Sequence, residues 1–336
     1  MPRKIILLSA LIVLLGTLFY STELPAAPFY EGKIITLLVG TEPGGGTDRL
    51  GRLIAKHIPK FIPGKPTVII KNMSGAGGLV PSNYLYSAAK PDGLTFGTFN
   101  RGIIFSQLLQ VKGVKFDMTK YSWLGSAATE STLLAIRSDL PYKTYEDLKK
   151  AKEPLIMGTQ FPGTNTYDNA SIFQHVLGLN MKLITGYASS TEILLAIERK
   201  ECDGVALAYS ALQPYIDRGV VRPLFRTKAS VPGVEKVPVI NDLTDSEMSK
   251  RILSMLAVTD FVGRPYVAPP NTPSDKMNIL RVAFAKVIKD GAANEEAKRL
   301  KLDLKYLSAE ASLKEVRYFL NQPPETVKEF SRYIKP

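Results

Sequence analysis

Residues 43–48 read Pro-Gly-Gly-Gly-Thr-Asp and stand between a short apolar run and an amphipathic stretch. The run before them, Ile34–Val39, is typical of a buried strand, and the apolar residues at 50–61 recur with helical spacing. A second turn, at residues 158–165, again separates a strand pattern from a helix pattern. Strands that alternate with helices usually pair in parallel. The sequence therefore predicts an α/β protein.

The alternation continues along most of the chain. Further predicted strands are residues 67–70, 94–99, 132–137, 155–158 and 205–208. Further predicted helices are residues 83–89, 167–177, 191–199, 274–289 and 310–320, followed by a last short helix after two prolines. A Lys-Pro-Asp-Gly sequence at residues 90–93 predicts a tight turn. No repeat period is evident.

The first glycine-rich loop has the composition of an anion-binding turn. Gly44, Gly45 and Gly46 let the backbone approach a ligand, and the helix N-terminus after them directs unpaired N–H groups at the same space. Thr47 or Asp48 could instead cap the helix of a plain turn, and the residues alone leave both interpretations open. If the loop binds an anion, we expect a β-branched residue at Gly45 to resist positive φ and to weaken binding.

This loop does not match the nucleotide-binding motifs. It lacks the Gly-Lys-Ser/Thr ending of a P-loop, and Arg49 stands where G-x-G-x-x-G requires its third glycine. Nucleotide binding is therefore poorly supported.

The second loop has a similar make-up. It contains Gly158, Thr159, Gly163, Thr164 and Asn165, again at the carboxyl end of a predicted strand. Open α/β sheets bind ligands at such ends. Two such loops that face each other across a cleft would hold a small anion.

The first 27 residues have the layout of a secretory signal peptide. Two basic residues precede an apolar run at 5–20, and small residues at 26–27 supply a cleavage site. The alternative is an uncleaved anchor, but the run is shorter than the roughly 20 residues that span a bilayer. We expect an exported protein whose mature chain begins near Ala27.

Composition excludes several functions. One cysteine and two histidines make an intrachain disulfide or a Cys/His metal centre improbable, and no cofactor is expected. The formal net charge is +12, from 43 basic and 31 acidic residues, but the basic residues are scattered without a block. We therefore expect no nucleic-acid partner.

An ordered set of short motifs resembles one known family. The set begins with residues 43–48, Gly-Ala-Gly-Gly at 75–78 and Pro-Asp-Gly at 91–93. Later members are Tyr-Lys-Thr at 142–144, Gly-Thr pairs at 158–159 and 163–164, Gly-Tyr at 186–187, Asp-Gly at 203–204 and Ala-Pro-Pro at 268–270. In this order and spacing they resemble the substrate-binding receptors of tripartite tricarboxylate transporters, also called the Bug family.

The resemblance covers essentially the whole mature chain and implies a two-domain periplasmic binding protein. Each domain would be a mostly parallel sheet flanked by helices, with a ligand cleft between them and hinge closure. It implies that a ligand carboxylate lies between Gly44–Asp48 and Gly158–Thr164, and that the loaded monomer delivers it to membrane permease subunits. Residues 165–168 differ from the usual Ser/Gly run and histidine, so the ligand need not be citrate.

The expected domain boundaries follow from this comparison. We expect a signal peptide at 1–27, a first domain at 28–126 plus 229–336, and a second domain at 127–228. Two chain crossings between the domains make hinge bending natural.

Four more residues are candidates for ligand binding. Arg101 follows the third strand and could pair with a carboxylate, although a surface arginine is the commoner case. Asp203 could accept from a ligand amine or hydroxyl, or cap a turn. Tyr187 and Tyr209 could form cleft walls or belong to the core.

Two other functions remain as alternatives to a transport receptor. An exported hydrolase or isomerase would need a nucleophile or general base with a partner, and no G-x-S-x-G or H-E-x-x-H motif occurs. A solute-sensing subunit for a membrane kinase would need the same closed, loaded state as a transport receptor. The sequence favours a non-enzymatic receptor.

Overall fold

The computed structural model describes residues 28–334, so the predicted signal peptide lies outside the described part of the chain. The strands are β1 Ile34–Val39, β2 Thr67–Asn72, β3 Thr95–Thr98, β4 Ser122–Ser126, β5 Thr132–Arg137, β6 Leu155–Gly158, β7 Met181–Ile184, β8 Gly204–Ala208, β9 Val221–Arg226, β10 Pro265–Ala268 and β11 Leu307–Ser308. The helices are α1 Gly46–His57, α2 Leu79–Ser87, α3 Ile103–Leu108, α4 Tyr145–Lys149, α5 Asn165–Leu177, α6 Ser190–Glu198, α7 Tyr209–Asp217, α8 Glu247–Val262, α9 Ser274–Lys289, α10 Gly291–Arg299, α11 Ala309–Leu320 and α12 Pro324–Ser331.

The strands form two separate mixed sheets. The first has the order β11-β4-β10-β3-β1-β2, and the second has the order β7-β6-β8-β5-β9. In the first, β1 pairs in parallel with β2 and β3, whereas β10 runs antiparallel to β3 and β4. In the second, β6 is parallel to β7 and β8, whereas β5 is antiparallel to β8 and β9. The predicted α/β class is confirmed, and each sheet combines parallel strands with antiparallel ones.

Both sheets have helices packed against them. Helices α1, α9 and α10 contribute buried side chains to one apolar cluster with β1. A larger cluster contains residues of both sheets and of α8, which lies between β9 and β10 in the chain. Through this larger cluster, the hydrophobic core is continuous from one sheet to the other.

Helix α2 begins four residues before the predicted start. Its first turn contains Pro81, and a proline in the first turn removes no intrahelical hydrogen bond. Gly78 lies directly before the helix and ends the preceding glycine cluster.

The topology makes the carboxyl edges of the two sheets face each other. Strands β1, β2, β3 and β4 all end at one edge, because β10 is antiparallel to both β3 and β4. Strands β6, β7 and β8 end at one edge of the second sheet, where β5 begins. Residues 127–131 join the end of β4 to the start of β5. A connection this short requires the two edges to be adjacent.

Within residues 28–334, the structure contains no helix that is both long enough and apolar enough to cross a membrane.

Candidate functional site

The first glycine-rich loop leads directly into α1. Gly45 is the residue before the helix and makes no side-chain cap, so neither Thr47 nor Asp48 caps α1 at that position. The left-handed conformation belongs to Gly44, at φ +89°, whereas Gly45 has an ordinary extended φ of −73°. The expectation of positive φ at Gly45 was therefore wrong by one residue.

The carboxylate of Asp48 stabilises the first loop through hydrogen bonds. Its carboxylate accepts hydrogen bonds from the Gly44 amide, from Asn72 Nδ2 and from Arg52 Nε, each at 2.9 Å. Burial opposes ionisation, but these hydrogen bonds, the one from Arg52 foremost, hold the pKa of the Asp48 carboxyl below its ordinary value. The Gly44 N–H is therefore occupied by the Asp48 carboxylate, and Asp48 stabilises the conformation of the loop.

The second loop repeats this arrangement with a different charge balance. Gly163 also has a positive φ, +84°, and its amide donates to Asp168 Oδ1 at 3.1 Å. Asp168 is fully buried, and Oδ2 has no hydrogen-bond partner among the described residues. Burial raises the pKa of Asp168 to about 7, against the opposing effect of the Gly163 hydrogen bond.

The two sheets approach each other through glycines. A Cβ atom added to Gly77 would lie 3.4 Å from the Gly163 carbonyl oxygen, and one added to Gly102 would lie 2.5 Å from Asn165 Oδ1. The second loop thus contacts the glycine cluster at residues 75–78, whereas the sequence predicted that it would face the first glycine-rich loop. Glycine is required at residue 77 by its positive φ of +63°, and at residue 102 a side chain would need Asn165 to move.

Arg101 is buried, which corrects the interpretation that it is an ordinary surface arginine. Its side chain is 3% exposed, and one guanidinium NH2 contacts Asp260 Oδ1 at 2.8 Å and Thr132 Oγ1 at 3.1 Å. Asp260 also accepts from the Thr132 amide at 3.0 Å and from the Thr227 hydroxyl. Since Thr132 begins β5 and Thr227 follows β9, this network ties Arg101 to both chain crossings.

A second network reaches the first loop. Arg264 donates to Thr47 Oγ1 at 2.8 Å and, through Nε and NH2, to Glu130 Oε1 at 3.1 and 2.9 Å. Glu130 also accepts from the Ser210 hydroxyl at the start of α7. Sequence reasoning missed Arg264, Glu130 and Asp260, because their partners lie 33 to 217 residues away in the chain.

Other candidates in the second loop have structural roles. A Cβ on Gly158 would lie 2.7 Å from Ile193, so this glycine is needed for packing. Thr159 is buried, and its amide and hydroxyl both donate to the Ile184 carbonyl. Thr164 donates to the Phe161 carbonyl at 2.6 Å.

The remaining candidates separate into two groups. Tyr209 follows β8 and Tyr187 lies in the segment after β7, so both are at the facing edge. Asp203 comes before β8, roughly 20 Å from Tyr209 along an extended strand. Asp203 accepts from the Ile156 amide at 2.8 Å and lies 3.5 Å from Arg137. The structure therefore places Asp203 at the opposite end of β8 from Tyr209, beside the segment that leads to Gly158.

Five buried polar atoms near the facing edges have no hydrogen-bond partner within residues 28–334. They are Thr41 Oγ1, Thr98 Oγ1, Arg101 Nε, Ser131 Oγ and Asp168 Oδ2. Buried polar atoms in folded proteins almost always have a partner. Each of these atoms is therefore an exception within residues 28–334.

Residues 28–334 contain no group of three or more His, Cys, Asp and Glu side chains with metal-binding geometry.

Two mixed sheets whose carboxyl edges face each other across a doubly crossed connection define the periplasmic binding protein fold. The periplasmic binding protein BugD superposes with a TM-score of 0.72 at 19% identity, covering 91% of this chain and all of that one. R. palustris Rpa4515 with adipate gives a TM-score of 0.71 at 20% identity, covering 90% and 98%.

The family model described as tripartite tricarboxylate transporter family receptor matches residues 52–329, and the chain belongs to this family. The resemblance drawn from the motifs is confirmed. Among curated relatives, the UPF0065 protein in the TAR-I ttuE-ttuC' intergenic region of Agrobacterium vitis is 26% identical over 178 residues, or 51% of each chain. The aligned region thus spans about half the length of this relative, and 35% of a second one from Cupriavidus necator.

Proposed function

We propose that this protein is a periplasmic receptor that captures a small organic carboxylate between its two lobes and delivers it, as a monomer, to the permease of a tripartite tricarboxylate-type transporter. The observation that carries the proposal is the pair of helix N-termini at the facing edges, those of α1 and α5, which have no side-chain cap. Unpaired N–H groups at a helix N-terminus favour an anion such as a carboxylate. The family match and the adipate in one structural relative support the same class of ligand.

The two helices act on a ligand in the same way. Helices α1 and α5 both begin at the facing edges, and each directs unpaired N–H groups and a positive dipole end towards the space between them. The hydroxyls of Thr41 and Ser131 would hydrogen-bond the same ligand.

We also propose the domain boundaries 28–126 plus 229–336 and 127–228, with residues 1–27 as a cleaved export signal. The strand assignments support this division, because the first sheet uses β1–β4, β10 and β11 and the second uses β5–β9. We propose no catalytic role, since receptors and binding proteins are the relatives found.

The orphan hydroxyls provide a direct test. Ser131→Ala removes a hydroxyl without a protein partner, so the free energy of unfolding should barely change. Affinity for the carboxylate identified by mass spectrometry of the native protein should fall about 10-fold or more, because a hydrogen bond to a charged group contributes roughly 1.5–3 kcal/mol. Isothermal titration calorimetry measures this change.

Ser312→Ala is the matched control. Ser312 Oγ is also buried and unpartnered among the described residues, but it lies on α11, which contributes to neither glycine loop nor to either chain crossing. Its loss should leave affinity unchanged. Equal effects of the two substitutions, or recovery of a chemically transformed ligand, would contradict a receptor that binds at this cleft.

A further inference from the structure

A cavity of about 380 Å³ lies where the chain crosses between the two sheets. Its walls come from three places: Thr129 and Glu130 in the crossing, the start of α7 with residues 231–232, and residues 298–303 after α10. The volume falls in the range of small-molecule sites, roughly 300–1,000 Å³. Because both sheets and the crossing contribute, an occupant would contact both lobes at once.

Glu130 gives this cavity a buried acceptor. The residue is 4% exposed, and Oε1 accepts two N–H groups from Arg264. The Ser210 hydroxyl lies 2.9 Å from both carboxylate oxygens, but its single hydrogen can serve only one of them at a time. Oε2 therefore keeps accepting capacity for a donor in the cavity.

The charges around the cavity balance. Glu130 is paired with Arg264, and Lys301 lies 3.6 Å from Asp217 across the two lobes. The charged groups on the wall, or paired with it, are Arg264, Lys298 and Lys301 against Glu130, Asp217 and Asp303. A second carboxylate would enter this cavity without a surplus cation, which is costly for a desolvated charge. An uncharged donor would meet Glu130, Tyr209 and Gln213 without that cost.

The cavity lies next to the first glycine loop. Arg264 donates through one NH2 group to Glu130 Oε1 at 2.9 Å and through the other to Thr47 Oγ1 at 2.8 Å, so one guanidinium connects the cavity wall to the first turn of α1. The Glu130 amide also donates to the Asp260 carbonyl at 2.9 Å, which fixes the wall to α8. A molecule with a short carbon chain that is anchored by a carboxylate at the start of α1 can therefore reach the cavity.

We propose that this cavity binds the second end of the ligand and that this end is an uncharged or zwitterionic hydrogen-bond donor, such as an amide, a hydroxyl or an amino acid group. The ligand is then a substituted acid with one net negative charge. It is not an unsubstituted dicarboxylate. This assignment rests on the proposed carboxylate-receptor function.

Pairs of acids that differ only at the second end test the assignment. Succinamate and succinate have nearly the same shape, as do glutaramate and glutarate, but one member of each pair carries an amide where the other carries a second charge. In calorimetric titrations of the full mature protein, the amide member of a pair should bind about 10-fold more tightly or better. 4-Hydroxybutyrate extends the comparison to a hydroxyl.

Glu130→Gln distinguishes recognition from structural damage. The glutamine oxygen can still accept from Arg264, while its NH2 group would face the cavity and donate. The affinity ratio of the amide acid over its dicarboxylate partner should therefore decrease or invert. A site that was only damaged would lose affinity for both acids without this change in the ratio. Gln213→Leu should reduce affinity for the amide members, and Gln322→Leu, outside the cavity, should not. Thermal unfolding checks that each variant is folded.

The outcomes separate the two proposals. If succinate or glutarate binds as tightly as its amide partner, the assignment of the cavity is wrong and the receptor function stands. If the carboxylate recovered from the native protein is an unsubstituted dicarboxylate, the assignment of the cavity is likewise wrong. If no carboxylate is recovered and none of the acids binds, the carboxylate-receptor function is overturned as well.

Discussion

At the scale of single residues, the two glycine loops are supported by aspartates in contrasting environments. Asp48 and Asp168 each accept the amide of a left-handed glycine. Asp48 also contacts Arg52 and Asn72, so its carboxylate is compensated. Asp168 is fully buried with one hydrogen bond, so its neutral form is favoured. The ionised forms of these two aspartates therefore have opposite effects on the stability of the folded protein at neutral pH.

The first prediction concerns Asp168 and pH. Its folded-state pKa of about 7 exceeds the unfolded value of 3.8, so the folded chain binds the extra proton between these values. The contribution to stability is complete below about pH 4 and is lost as pH rises through 7, on the order of 4 kcal/mol in all. Asp168→Asn should therefore match the wild type near pH 3.5 and exceed it in free energy of unfolding at pH 8. Urea denaturation at both pH values measures this.

Asp48→Asn is the matched control for this prediction. The pKa of Asp48 is lowered, so its ionised form contributes stability above its unfolded pKa and loses it as pH falls through the folded value. The substitution should be destabilising at pH 8. If Asp168→Asn is also destabilising at pH 8, the buried Asp168 carboxyl has a counter-charge and its ionised form is the favoured one.

The sequence located some site residues and misplaced others for physical reasons. Arg101 was a candidate because it follows a strand, and the structure buries it at the facing edge. Asp168 had a readable signal, since Pro-Gly precedes an aspartate by a few residues in both loops. Asp260 had none, because its partners come from β5 and β9, which the chain brings together only in the folded state.

At the scale of elements, local patterns predicted most of the parallel strands and the antiparallel β5, and missed β7, β9 and β10. Strands β1, β6 and β8 stand beside glycine turns or helical periodicity, so their sequences are informative. Strand β9 contains a proline and β10 begins with one, which argues against a strand. Helix α8 is buried on several sides, so its apolar residues show no clear stripe.

The next prediction tests which glycine of the first loop is required by the backbone. Gly44 has φ +89°, and a Cβ there would meet nothing within 4 Å, so the cost of Gly44→Ala comes from the backbone alone. It should lower the free energy of unfolding by about 1–2 kcal/mol. Gly45→Ala, at φ −73° and in equally open space, should leave it unchanged or raise it slightly. Equal losses in urea denaturation would contradict the assigned loop conformation.

At the scale of the whole molecule, the two lobes are joined by a buried polar network and meet again through glycines. The network around Asp260 fixes Arg101, Thr132 and Thr227 at the crossing. The second loop lies against Gly77 and against Gly102, the chain neighbour of Arg101. Separation of the two lobes at this point would require the glycine contacts to open. The family resemblance predicted this two-lobed shape, whereas the residues that fix its closed form appear only in three dimensions.

The last prediction tests whether the glycine contacts control closure. Gly102 has an ordinary φ of −68°, so a side chain costs little in its backbone, but a Cβ would lie 2.5 Å from Asn165 Oδ1 in the other lobe. Gly102→Val should therefore oppose the closed arrangement with little effect on either lobe alone. Overpacking of this kind costs about 1–3 kcal/mol, which would weaken ligand binding by roughly 5-fold to 150-fold. Calorimetry gives the affinity, and small-angle X-ray scattering with saturating ligand gives the radius of gyration, which should exceed that of the wild type. Adding Asn165→Ala removes the clashing amide and should restore much of the lost compaction, whereas Asn165→Ala alone reports what that side chain contributes directly. A Gly102→Val protein that closes and binds as the wild type does would mean that the lobes meet differently when the ligand is bound.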